Sequence, residues 1–172
     1  PSASTTNRMQ LAVTPADPDL VYVLAGEQSD GAYKGLYRSI NGGVSFSLTS
    51  DSPNLFGYEE DGSDSGGQSW YDMALAVDHV DPEVVLVGGI NVWRSDDGGA
   101  NWDIRSHWIY PSQVGYTHAD IHEITIQGGL VYVGSDGGLF RSADGGTTWT
   151  DLSAGLDITQ FYRLGGSPDN AA

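Results

Sequence analysis

An all-β chain, a partial β-propeller of four-stranded antiparallel blades joined through glycine-rich hairpins, is what this sequence predicts. Three observations carry the prediction. A Ser-x-Asp/Asn-Gly-Gly turn followed by an aromatic residue recurs three times, an apolar strand pair precedes each copy, and 24 Gly, five Trp and nine Tyr stand where long helix-forming runs are missing. Such a balance favours many short strands and tight turns.

The turns come first because repetition at a fixed period decides architecture. Residues 36–46 read Leu-Tyr-Arg-Ser-Ile-Asn-Gly-Gly-Val-Ser-Phe, residues 92–102 Val-Trp-Arg-Ser-Asp-Asp-Gly-Gly-Ala-Asn-Trp, and residues 139–149 Leu-Phe-Arg-Ser-Ala-Asp-Gly-Gly-Thr-Thr-Trp. Ser39 and Ser95 are 56 residues apart, Ser95 and Ser142 are 47 apart; a four-stranded blade takes about 40–50. In each copy Asn41, Asp97 or Asp144 is placed to accept a backbone amide two residues on. Gly43, Gly99 and Gly146, each with the glycine before it, supply the positive φ of a tight hairpin. Phe46, Trp102 and Trp149 fold back as an apolar plug, and Ser39, Ser95 and Ser142 add a hydroxyl to the network.

The strands before each turn follow. Residues 11–23, Leu-Ala-Val-Thr-Pro-Ala-Asp-Pro-Asp-Leu-Val-Tyr-Val, match residues 75–87; a shortened copy occupies 124–133, and a fourth begins at 161–170. Each unit reads as strand A, Asp-Pro turn, strand B, loop, strand C, glycine turn, strand D. Residues 1–172 thus form one partial propeller: blade one at about 8–50, blade two at about 70–106, blade three at about 120–153, and the start of a fourth at 158–172. Propellers close with four to eight blades, so the remaining blades of a longer chain are the first expected partner.

These repeats resemble the Asp-box (bacterial neuraminidase repeat) propellers, which include sialidases, the sortilin ectodomain and xyloglucan-degrading hydrolases. Residues 68–77, 116–122 and 158–164 are further similar to uncharacterised secreted or surface proteins of Bacteroidetes-type bacteria with sortilin-like propellers. The resemblance implies fold more than function, because the box is a structural turn shared by unrelated activities. It implies a secreted or cell-surface, bacterial protein.

Charge narrows the partners. The net charge is −16, from seven Lys and Arg against 23 Asp and Glu, which excludes a basic nucleic-acid footprint and disfavours anionic membranes. No apolar run approaches a membrane span, and no cysteine is present.

Blade topology sorts the loops. The Asp-Pro and glycine turns share one face; the other receives the long connections 26–34, 50–69 and 106–117 and the turn at Asp136. Connections of this kind gather binding residues. Trp108, Tyr110, Tyr116, His118, Asp120 and Asp136 are expected to border one recess there, suited to a glycan or a cationic protein surface; inter-blade packing is the other role open to the aromatics. His118, Asp120 and His122 alternate, so on a strand they share a side and could hold a divalent metal; a hydrogen-bonded structural pair is the reading favoured, since His122 aligns with Met9, Met73 and Tyr162. Asp51, Glu59, Glu60, Asp61 and Asp64 make an oxygen-rich loop that could take calcium or remain solvated.

Among enzyme readings, a sialidase needs an arginine cluster, and Arg38, Arg94 and Arg141 are taken by the repeat. In the xyloglucan-degrading family an Asp before Gly-Gly in the B–C turn is catalytic, and Asp136 matches it. A glycosidase needs a second carboxylate. The sequence therefore points to a binding or interaction scaffold for glycan or protein ligands, or else to part of a polysaccharide-degrading glycoside hydrolase.

Overall fold

The computed structural model describes residues 1–109 and 113–157. Thirteen strands and no helix occur among them. Strands β1 (Thr6–Thr14), β2 (Asp17–Glu27), β3 (Tyr33–Ser39) and β4 (Ser47–Ser50) form an antiparallel sheet in chain order. The second sheet orders β5 (Ala74–Val77), β6 (Val85–Gly88), β7 (Val92–Ser95) and β8 (Asp103–His107) in the same way. The third holds β10 (Ile121–Gln127), β11 (Leu130–Ser135), β12 (Gly138–Ser142) and β13 (Thr150–Asp151). One strand was not foreseen: within 106–117, β9 (Gly115–Tyr116) returns parallel to β8 and widens the second sheet to five. The expected start of a fourth blade at 158–172 lies outside the described residues.

Equivalent pairs lock the three sheets into one register. Leu11 faces Val23, Leu75 faces Val87 and Ile124 faces Val133. Side chains alternate across a strand, so each sheet offers an apolar surface to both neighbours. Leu75, Val77, Val85, Val87 and Trp93 pack on Leu20, Tyr22, Leu24 and Leu36 of the first sheet. Ala74, Ala76, Leu86 and Val92, on the opposite face, pack on Ile121, Ile124, Ile126, Val133 and Phe140 of the third. That is why β5 and β6 are buried at every position, each large aliphatic side chain contributing ~1.5–3 kcal/mol.

The first sheet keeps its other face bare. Met9, Leu11 and Val13, at the positions of Met73, Leu75 and Val77, are 51%, 63% and 64% exposed. A partial propeller implies other blades, and this bare apolar face is of the kind that neighbouring blades bury between them.

The glycine turns are built alike, by a different set of bonds from the one expected. The buried Ser95 hydroxyl donates to Asp97 Oδ1 at 2.8 Å and accepts the amides of Asp97 and Gly99. Asp97 Oδ1 accepts the amides of Ala100 and Asn101, three and four residues on rather than two. Ser142 with Asp144, and Ser39 with Asn41, repeat the pattern, reaching the amides of Thr148 and Ser45. The serine makes the two-residue bond, which frees the acid to span the whole turn. Gly98 and Gly99 at φ 73° and 90° allow it. The Gly98 amide also donates to the carbonyl of Glu83 at 2.8 Å, so glycine turn and Asp-Pro turn share one face.

Candidate functional site

On the opposite face the long connections knit together. The amides of Gly67 and Ser69 donate to the carbonyls of Asp30 and Gly31. Asn54 Oδ1 accepts the Tyr33 amide, and its Nδ2 reaches the carbonyl of Gly66 at 2.8 Å. The segment 68–73 is thereby pinned just ahead of β5, its turn closed by the Tyr71 amide on the Gln68 carbonyl at 2.7 Å.

Onto this segment β10 with the residue before it and the β11–β12 turn bring three ionisable groups, Asp120, His122 and Asp136. Asp136 sits in the turn, about one-third exposed, with Oδ1 2.7 Å from His122 Nε2 and Oδ2 accepting the Tyr71 hydroxyl at 2.8 Å. The Tyr71 and His122 rings meet edge-on with centroids 5.1 Å apart. Asp120 precedes β10 at φ 64°, a left-handed conformation that Asp tolerates better than most residues. Its carbonyl accepts the Asp136 amide at 3.2 Å, which couples the two carboxylate-bearing backbones.

Beneath them lies Asp72, wholly buried. The Gln68 side-chain amide donates to both Asp72 Oδ2 and Asp120 Oδ1. Asp72 Oδ1 is buried without a hydrogen bond. Burial first, and the Asp120 charge second, push the Asp72 carboxyl up to about 7; the Gln68 bond and His122 pull it the other way. Desolvation and a like charge both disfavour the anion, so near neutrality Asp72 carries a proton for much of the time.

Aromatic surface adjoins the cluster. Trp70 is 64% exposed and its ring lies 5.8 Å from that of Tyr71. Arg8 Nη1 donates to the Tyr71 carbonyl at 2.8 Å rather than to a carboxylate.

Of the residues expected to border one recess, Asp120 and Asp136 are brought together, and His118 lies over Gly137 beside them: a Cβ on Gly137 would come 2.1 Å from His118 Cγ. Trp108 goes elsewhere. Its indole N–H donates to the Tyr58 carbonyl at 3.1 Å, and its ring packs near Tyr58 and His107. Tyr116 packs against Phe140, beside a cleft of about 580 Å³ also lined by Ile104, Arg105 and Trp149. Tyr110 lies outside the described residues. The aromatic group at Asp136 is instead Tyr71, and Trp70 lies beside that ring. With Gln68 and Asp72 they escaped the sequence reading; the one available signal was a carboxylate abutting the wholly apolar run 73–77.

The side chains weighed as metal ligands have other partners. His118 Nδ1 lies 3.1 Å from the Ala119 carbonyl, His122 engages Asp136 and Asp120 engages Gln68. The left-handed Asp120 breaks the alternation that would have aligned the three. In the acidic loop, Asp61 and Asp64 accept the amides of Ser63 and Glu59, and Glu60 lies 3.7 Å from His107. Among the described residues no group of three His, Asp or Glu side chains is placed to hold a metal ion.

Comparison with known proteins supports the architecture. No family model matches the chain, and no curated protein matches it in sequence. Among solved structures it is similar to an ancestral GH74 enzyme, at TM-score 0.53 and 18% identity over 86% of this chain. It is also similar to YCF48 from Cyanidioschyzon merolae, at 0.50 and 16% over 83%. The chain spans only 18% and 35% of the lengths of those proteins. Both are propellers, and the all-β sheets described above form part of one.

Proposed function

We propose that this chain is a segment of a secreted or cell-surface Asp-box propeller, of the sortilin-like bacterial kind, that acts as a binding scaffold for a glycan or protein ligand. The observation that carries the reading is the surface around Asp136: a carboxyl held in place by His122 and Tyr71, with the exposed indole of Trp70 beside Tyr71. Fixed polar groups beside an apolar plane suit ligand recognition. Glycan and protein arrays probed with the full-length protein test it. Binding lost in Trp70→Ala and Asp136→Ala, and kept in Trp108→Ala, is the expected result; ligands indifferent to both losses overturn it.

A second reading, part of a polysaccharide-degrading glycoside hydrolase, draws on one specific observation. Two carboxyls in unlike surroundings sit in one cluster, Asp136 at the surface on His122 and Asp72 buried with its carboxyl pushed up to about 7, and acid–base chemistry draws on such contrasts of environment. Asp72 is wholly buried, which favours a supporting role and leaves binding as the stronger reading. Release of reducing sugar by the full-length protein, abolished in Asp136→Asn, would reverse that order.

A further inference from the structure

We propose that the surface formed by Asp120, Asp136 and Trp70 above buried Asp72 takes the guanidinium or ammonium group of a protein partner's Arg or Lys side chain; this rests on the binding reading of the same surface. Three independent features point to a cation rather than a neutral hydroxyl.

The first is uncompensated charge. Asp120 meets no Lys or Arg within ion-pair distance among the described residues, and Asp136 meets only His122. Gln68 satisfies Asp120 Oδ1, while Oδ2 accepts no hydrogen bond from the described residues. Arg8, which reaches the neighbouring Tyr71, donates to its backbone carbonyl. Two carboxylates so placed, coupled through the Asp136 amide and the Asp120 carbonyl, present acceptors and no donor to an incoming group. A guanidinium is the complement of such a set, since it offers only donors.

The second feature is Asp72. An unsatisfied buried carboxyl oxygen is costly, and none of the described residues satisfies it. Its other oxygen shares the Gln68 amide with Asp120, so a positive charge on Asp120 acts directly on the Asp72 proton. The groups facing Asp72 are Gln68 from its own segment and Asp120 and His122 from the β10 side; a cation at Asp120 offsets the like charge that helps to hold the proton on Asp72 and so favours its ionisation.

The third is Trp70. Its ring stands exposed beside Tyr71, where an indole face can attract a cation within about 6 Å. A protein of net charge −16 adds long-range attraction for a basic partner.

The test uses the full-length protein and two capped tripeptides, acetyl-Gly-Arg-Gly-amide and its citrulline counterpart, which has the same shape without the charge. The Arg peptide is expected to shift the Trp70 indole N–H resonance with at least tenfold higher affinity than the citrulline peptide. Asp120→Asn and Asp136→Asn each reduce that affinity about tenfold, whereas Asp61→Asn, which removes equal charge from the distant acidic loop, changes it less than twofold. Near pH 6 binding also releases protons, measured by calorimetry in two buffers of different ionisation enthalpy, and Asp72→Asn removes the release. Equal affinity for the two peptides overturns the inference, as does an Asp61→Asn loss matching that of Asp120→Asn. A glycan that needs Asp136 while the Arg peptide fails to bind sinks the cation site and leaves the binding reading standing. Failure of both, with no other ligand found, sinks both.

Discussion

The indole N–H of Trp149 donates to the carbonyl oxygen of Arg105 at 3.0 Å, and so ties the third sheet to the last main strand of the second. Trp102 does the same one blade earlier, donating to Ser50 Oγ at 3.0 Å. Both rings also rest on the second glycine of their own turn, within about 3.5 Å of where a Cβ would stand. The aromatic after each glycine turn is therefore a rivet between blades as much as a plug on its hairpin. Phe46 occupies the same position in the first sheet, lacks an N–H and is 42% exposed.

Unequal costs follow for equivalent substitutions. Trp102→Ala and Trp149→Ala should each destabilise by ~3 kcal/mol, near the low end for a large aromatic because both are only partly buried. Trp102→Phe should lose ~1 kcal/mol for the hydrogen bond, and Phe46→Ala less than either alanine variant. Urea melts that rank the three positions equally would show that the inter-blade bond contributes nothing.

A second tie crosses at the arginine that precedes each glycine turn. Arg38 makes a bidentate pair with Glu83 of the next sheet, one arm at 3.0 Å, and Tyr22 beneath it donates to the Pro82 carbonyl at 3.0 Å. Arg94 reaches the Gly145 carbonyl at 3.3 Å in the same direction. The repeat thus sends Arg38 and Arg94 forward to the following blade. Both partners of the first pair are partly exposed, so a double-mutant cycle on Arg38→Met and Glu83→Gln should return a coupling of ~0.5–1 kcal/mol, falling as salt is raised. A coupling of zero at low salt would make the pair incidental.

The fold was legible because its signals are local. A Ser-x-Asp-Gly-Gly turn needs its own residues and little else, and period-two strands flank it. The site was not legible because it is assembled across blades: Asp72, Asp120 and Asp136 come from three connections, and one left-handed residue decides where the last two point. Alternation alone grouped His118, Asp120 and His122, and the φ of Asp120 undid that grouping. Trp108 and Trp70 look alike in sequence; only the packing of the 50–69 loop, whose Tyr58 carbonyl takes the Trp108 indole N–H, separates them.

The glycine turns should also set acid sensitivity. Hydrogen bonds from Thr148 hold the Asp144 carboxyl down at about 2, and those from Asn101 do the same for Asp97. A carboxylate depressed in the folded state stabilises above its unfolded value of 3.8, and that contribution disappears as pH falls towards 2. Both groups are solvent-exposed, so the effect is modest. Asp97→Asn should fold, because Asn41 already fills the equivalent place, and should lose less stability than wild type between pH 4 and 2. Carbon-13 titration of the two carboxyls checks the cause: ordinary values at either would remove it.

Asp72 predicts the opposite slope. Its carboxyl is raised from 3.8 to about 7, so between those values the folded chain holds a proton that the unfolded chain has lost. Stability is then fullest below about pH 4 as far as this group is concerned, and declines as pH rises through 7. The interval corresponds to at most ~4 kcal/mol, and since the residue is wholly buried little of it is screened by solvent. Asp72→Asn keeps the shape and the neutral charge of the protonated form, retains an acceptor for Gln68 and has nothing to ionise. Relative to its own value near pH 4.5, wild type should fall behind the variant by ~2–3 kcal/mol at pH 7.5, the variant showing the flatter profile between. Denaturant melts at those two values decide the matter: parallel profiles would mean that the proton is not held at Asp72, and that the buried oxygen is satisfied in some other way.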